Sequence, residues 1–215
     1  MLGRLQRGLQ DIYGIDLDVD VEDYLCDAGV AREHDPSASR REMLLVSQSD
    51  GADEVQIALY VDRAIIAGLE ASHPARWILG DQFDAYCVGL EGVSHFVYLA
   101  FHGGRGRPVT ELELELQAEV DKFVSCSLAV RQLSDAARLV GAIRQRLFAD
   151  PCYVDDQGSE RGERYRLANH LAARYTARLE RLYLAESRVA EMLREVRRFY
   201  RLTQREKIDQ ILQAA

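Results

Sequence analysis

The residues in this chain best suited to chemistry are two pairs at four-residue spacing, Glu91 with His95 and Glu115 with Glu119. On a helix, residues four apart lie one above the other, so each pair can present two ligand atoms on one face. Carboxylates and imidazoles facing each other between two helices are how bundles hold metal ions. Di-iron bundles use Glu-x-x-His and this chain has Glu-x-x-x-His, so the donor types fit but that motif's spacing does not. Glu111, Glu115 and Glu119 also stack at i, i+4, i+8, and like charges so placed require solvent, a cationic partner or a metal. A metal on Glu91, His95, Glu115 and Glu119 is weighed against a solvated or salt-bridged face.

A second candidate is the turn Gly103-Gly104-Arg105-Gly106-Arg107-Pro108, which leads into a helix N-terminus. Backbone N–H groups can converge on an anion there, with Arg105 and Arg107 supplying charge. The turn is neither G-x-G-x-x-G nor a P-loop, and the glutamates after it weaken the attraction; the competing reading is a connector whose arginines reach those glutamates. Ser94 and His95 are adjacent, about 100° apart on a helix, which excludes a direct nucleophile and base pair. Arg164 and His170 fit an Arg-x5-His pattern that resembles the catalytic motif of HEPN-type ribonucleases. Over those few residues the resemblance implies action at a scissile phosphate, against a competing account as a surface arginine and a partly buried histidine. The stripe Arg174, Arg178, Arg181, Arg188 is diluted by Glu180, Glu186 and Glu191 and has no interleaved aromatics, so no nucleic-acid partner is expected.

The elements that must position these groups are legible in the apolar pattern. Phe83, Tyr86, Leu90, Val93, Val97 and Phe101 predict a helix over 83–102, and Phe96 and Leu99 extend its apolar surface to more than one side. Thr110 followed by Glu113 is a capping box, so a second helix is predicted from 110 to about 126, with Leu112, Leu116, Val120, Phe123 and Val124 on its buried face. If the two run antiparallel, His102 lies level with Glu111, and His95 and Glu91 with Glu115 and Glu119. MLLVS and VQIALYV predict a β-hairpin turning at Ser49-Asp50-Gly51. Helices are also predicted over 2–13, 63–70, 135–148 and, after the Thr203/Glu206 capping box, to about 212. Residues 30–39 read as a loop. From 163 to 200 one phase persists, with Tyr175, Leu182, Val189 and Val196 seven apart, which predicts a single long helix packing on another helix.

Composition bounds the rest. The 215 residues suffice for one sizeable core, with 47% hydrophobic and 29% charged residues, as in ordinary globular chains. Four cysteines without C-x-x-C or zinc spacing point to a reducing compartment and to buried thiols. The acids at 16, 18 and 20 lack the glycine and glutamate of a calcium loop. No secretory signal or membrane span is read, so a cytoplasmic location is expected. Residues 1–130 hold 10 basic and 23 acidic residues, a net −13, and residues 131–215 hold 17 and 12, a net +5. Docking of the basic part on the acidic part accounts for this asymmetry. Only two of the basic residues are lysines, Lys122 and Lys207, as genome composition alone would explain.

The expected fold is α+β and predominantly helical: a helical hairpin core, a small antiparallel β-hairpin and a long C-terminal helix. It forms a single domain over 1–215, acidic over 1–130 and basic over 131–215. The expected function is that of a non-enzymatic cytoplasmic interaction or accessory protein, bound to a protein partner or to itself through Tyr175, Leu182, Val189 and Val196. The alternative is a metal- or phosphate-dependent enzyme or sensor with its Glu/His site between the helices at 83–102 and 110–126. The sequence identifies no cofactor.

Overall fold

A computed structural model describes residues 1–35, 41–48, 55–71, 74–149 and 158–213. Ten helices and a two-stranded antiparallel sheet make the described chain predominantly helical α+β, as the apolar periodicity requires. In order they are α1 (Leu2–Tyr13), α2 (Ala28–His34), β1 (Glu42–Gln48), β2 (Val55–Val61), α3 (Arg63–Glu70), α4 (Pro74–Leu79), α5 (Phe83–Gly103), α6 (Glu111–Val130), α7 (Ala136–Phe148), α8 (Glu160–Leu179), α9 (Val189–Tyr200) and α10 (Gln204–Gln213). The predicted turn at Ser49-Asp50-Gly51, the loop residues 36–39 and Cys152 lie outside the described residues.

The centre is the antiparallel pair α5 and α6. Tyr98 meets Glu113, Ser94 meets Asp121, and Glu91 meets Lys122, so rising numbers on one helix face falling numbers on the other. The Thr110/Glu113 capping box starts α6: the Glu113 N–H donates to Thr110 Oγ1 and the Thr110 N–H to Glu113 Oε2. Residues Gly92 to Tyr98 of α5 are all buried, because α1, α3, α6 and the hairpin cover the helix from different sides. Its polar stripe therefore faces protein rather than water, and that confines the site.

The hairpin pairs Glu42 with Val61 through to Gln48 with Val55 and packs on α5. Gly92 makes this approach possible: a Cβ there would stand 3.1 Å from Glu42 Oε2 and 3.2 Å from Leu59 Cδ1. Gly92→Ala is expected to destabilise the fold by about 1–3 kcal/mol through overpacking, read as a lower urea midpoint at unchanged m-value.

Two expectations change. Ala28–His34 forms a helix, capped by the Asp27 carboxylate on the N–H groups of Gly29 and Val30, inside a stretch whose polarity suggested a loop. The phase predicted to run unbroken to residue 200 continues from α8 through a π-helical stretch, Glu180–Leu184, then turns back near Ser187, which has a φ of 55°. α9 returns beside α8: Tyr175 stacks on Phe199 with centroids 4.0 Å apart, and Arg178 pairs with Glu195 at 2.7 Å. Tyr175 and Val196 face one core from the two arms, while Leu182 at the bend is exposed.

Candidate metal centre

Glu91 and His95 project from α5 one turn apart, and Glu115 projects from α6 beside them. One ligand atom from each of the three lies within 4.8 Å of the others. Glu115 Oε2 is 3.4 Å from His95 Nε2, and Glu42 Oε2 of β1 is 3.8 Å from His95 Nδ1. His95 is 5% exposed, and neither its Nε2 nor Glu42 Oε2 has an aligned hydrogen-bond partner among the described residues, although both atoms are buried. Buried polar atoms rarely lack a hydrogen bond, and this nitrogen has a carboxylate 3.4 Å away without an aligned one.

Lys122, one turn beyond Glu119 on α6, completes the cluster. Its ammonium bonds Glu91 at 2.7 Å and Glu119 at 2.8 Å; of these two, Glu91 belongs to the converging set and Glu119 does not. The Glu91 and Glu119 side chains are each 18% exposed, so water reaches the cluster from their side.

Four carboxylates, from Glu42, Glu91, Glu115 and Glu119, share this space with one lysine and one histidine. Burial raises the pKa of Glu42, and that of Glu119 likewise. Burial opposes charge on His95, but Glu115 and Glu42 outweigh it and hold its pKa well above the ordinary value. Burial likewise opposes charge on Lys122, and Glu119 and Glu91 outweigh it. With both cations charged the group still carries two surplus negative charges, and proton uptake is how the carboxylates relieve them. A divalent cation would relieve them as well.

The other singled-out residues lie apart from this cluster. Glu111 is exposed and pairs with Arg164, so Glu111 occupies the guanidinium that the ribonuclease resemblance would place at a phosphate; His170 is exposed. His102 bonds to the Arg107 turn and to the end of α9: its Nδ1 accepts from Arg107 Nε at 2.8 Å, and its Nε2 lies 3.0 Å from the Tyr200 carbonyl. Since a carbonyl only accepts, Nε2 carries the proton, and burial lowers the pKa of this imidazole to about 4. Arg107 also donates to Glu113 and to Tyr98, each at 2.8 Å, while Arg105 lies over the Phe101 ring at 3.8 Å and donates to the Phe101 carbonyl. Arg107 thus ties the turn to α5 and α6 and reaches Glu113, whereas Arg105 meets only Phe101 of α5 among the contacts described. Of the seam residues, Tyr175 and Val196 are interior, Val189 is half-buried and Leu182 is exposed; the α8–α9 reversal spends the first two on the chain's own core.

Sequence reasoning missed Glu42, which arrives from another element, and under-read the lysines. Both are buried in a chain whose other cations are all arginine: Lys122 in this cluster, and Lys207 with its Nζ bonded to Gln117 Oε1 at 2.6 Å. A single lysine among glutamates in an arginine-rich chain was the available signal.

An open groove of about 750 Å³ lies elsewhere, bounded by Leu25, Cys26, Tyr60 and Ile66. Its acids Asp27 and Asp62 cap α2 and α3, so its carboxylates are spent on helix termini. No helix among the described residues is long and apolar enough to cross a membrane. Comparison with protein families, with curated proteins and with solved structures returned no match.

Proposed function

We propose that this chain binds one first-row divalent metal ion through Glu91, His95 and Glu115. The observation that carries this reading is the buried His95 Nε2, 3.4 Å from Glu115 Oε2 without an aligned hydrogen bond, within a group whose ligand atoms lie inside 4.8 Å of one another. One imidazole with two carboxylates is a mixed nitrogen and oxygen set, which suits manganese, iron(II) or zinc better than calcium or magnesium. Three protein donors leave a coordination position for water on the side where Glu91 meets solvent, the arrangement that lets a metal acidify a bound water or polarise a bound oxygen. This arrangement supports reading the chain as a metal-dependent enzyme or metal sensor.

Isothermal titration of chelator-treated protein with Zn2+ and Mn2+ tests this. One equivalent is expected for the wild type, with binding lost in His95→Ala. Because the ion must displace a proton from His95, whose pKa is raised, affinity is expected to be lower at pH 6 than at pH 8. Titrations in two buffers of different ionisation enthalpy measure the released proton. A wild-type chain that takes up neither ion would contradict the reading.

The accessory-protein reading rested on the lack of a clear catalytic constellation in the sequence and on an apolar seam along one long helix. With Tyr175 and Val196 interior, the exposed large hydrophobics of that region are Leu167 and Leu182, single residues of the kind any surface carries.

A further inference from the structure

The geometry points to Glu42 as the positioning carboxylate of His95, through which the β-hairpin and the metal site are thermodynamically coupled. This inference rests on the metal reading above. An imidazole gives a metal one nitrogen, and the proton on the other must have an acceptor if the ring is to hold its tautomer and orientation. Here the two nitrogens face different elements. Nε2 is the one beside Glu115 of α6, at 3.4 Å, and Nδ1 is the one toward Glu42 of β1, at 3.8 Å. Glu42 is also absent from the set whose ligand atoms converge, as expected of a group on the far side of the ring.

Three observations make Glu42 more than a neighbour. Its Oε2 is buried without a hydrogen-bond partner among the described residues, so its position is not explained by any bond it already makes. Gly92, one residue after the ligand Glu91, leaves the space it fills, since a Cβ there would stand 3.1 Å from that oxygen. A shift of about 1 Å brings Oε2 into N–H···O range of Nδ1. Fixing the proton on Nδ1 leaves the Nε2 lone pair for the ion. Because Glu42 opens β1 and pairs in register with Val61 at the end of β2, an N–H···O bond from Nδ1 would tie the hairpin's base to the site. Linkage then runs both ways: a metal on Nε2 tightens the hairpin, and a displaced hairpin weakens the metal.

The test uses the full chain and Zn2+. Glu42→Leu keeps apolar volume and removes the acceptor; Glu42→Gln keeps an acceptor without the charge. Zn2+ affinity is expected to fall about 10- to 100-fold in E42L and by less in E42Q, with stoichiometry unchanged. Hydrogen exchange at the β1 and β2 amides is expected to slow on adding Zn2+ to the wild type but not to E42L. A wild type that binds Zn2+ beside an E42L that binds it equally well overturns this inference alone; a wild type that does not bind overturns the metal reading with it. Should E42L fail to fold, 15N shifts of His95 in the Zn2+-loaded wild type decide: a protonated Nδ1 is expected, and metal on Nδ1 overturns the inference.

Discussion

Lys122→Met is expected to destabilise the metal-free protein by about 3–5 kcal/mol at neutral pH, the loss that follows when one partner of a buried ion pair is removed and the other stays charged. The ammonium lies within hydrogen-bond distance of both Glu91 and Glu119, so the substitution strands two carboxylates. The loss should shrink on acidification. Burial already raises the pKa of Glu119, so the native state takes up a proton more readily than the unfolded chain does. Its destabilising contribution is present above the folded-state pKa and is relieved as pH falls through it. Without Lys122 that folded-state pKa rises further. Urea melts of wild type and variant at pH 5 and pH 7.5 should therefore converge at the lower pH, and Zn2+ should restore part of the difference at pH 7.5. Equal midpoints at pH 7.5 would show that the ammonium compensates nothing.

Lys207→Met should act in the opposite direction. Lys207 is 0% exposed, and burial lowers its pKa to about 7, with Glu113 and Asp121 opposing that shift only in part. The faces of Tyr98 and Phe199, 4.5 and 4.8 Å from Nζ, return some stabilisation to the ammonium, and Gln117 accepts from it. Relative to an ordinary lysine near 10.4, the depressed value corresponds to a penalty on the order of 5 kcal/mol wherever both states are protonated. Because the folded pKa lies below the unfolded one, the unfolded chain binds more protons between about pH 7 and 10.5, and stability rises with pH across that window. K207M escapes the penalty but leaves Gln117 Oε1 unpaired, at a cost of about 1–3 kcal/mol. It should exceed wild type in stability at pH 6, and the gap should close by pH 9.5. A variant less stable than wild type at every pH would show that Lys207 stays charged and paired.

The neighbouring Asp121 sharpens the contrast between the two buried lysines. It accepts from Tyr13, from Ser94 at 2.6 Å and from Gln117 at 2.7 Å, yet burial still raises its pKa to about 6. This network ties α1, α5, α6 and α10 together with hydrogen bonds, whereas Lys122 holds its neighbours by charge. Among the described residues, only the Lys122 cluster combines a buried imidazole nitrogen lacking an aligned hydrogen bond with surplus negative charge.

What the sequence made legible was whatever depends on local spacing. Apolar residues from Phe83 to Phe101 and the Thr110 capping box located α5 and α6 within a few residues of their ends. Antiparallel packing of two such helices brings Glu91 and His95 to Glu115. Glu42 could not be read this way, because its place depends on where the hairpin docks, and Gly92 permits that docking without advertising it in any periodic pattern. The reversal after Leu184 was hidden for a related reason. No glycine or proline marks it, Ser187 takes the left-handed conformation itself, and Tyr175 and Val196 face one core from the two arms. On α5 and α6, of the two readings of a solvated or a salt-bridged face, Glu91 and Glu119 take the salt-bridged one through Lys122.

The most direct test of the metal centre is an anomalous difference map from crystals grown with Zn2+, with data collected on both sides of the zinc absorption edge. The account predicts one peak bounded by Glu91, His95 Nε2 and Glu115, with Lys122 still between Glu91 and Glu119. A map without a peak there, with Lys122 and the four carboxylates unchanged, would contradict it and leave the cluster as a buried ion-pair network.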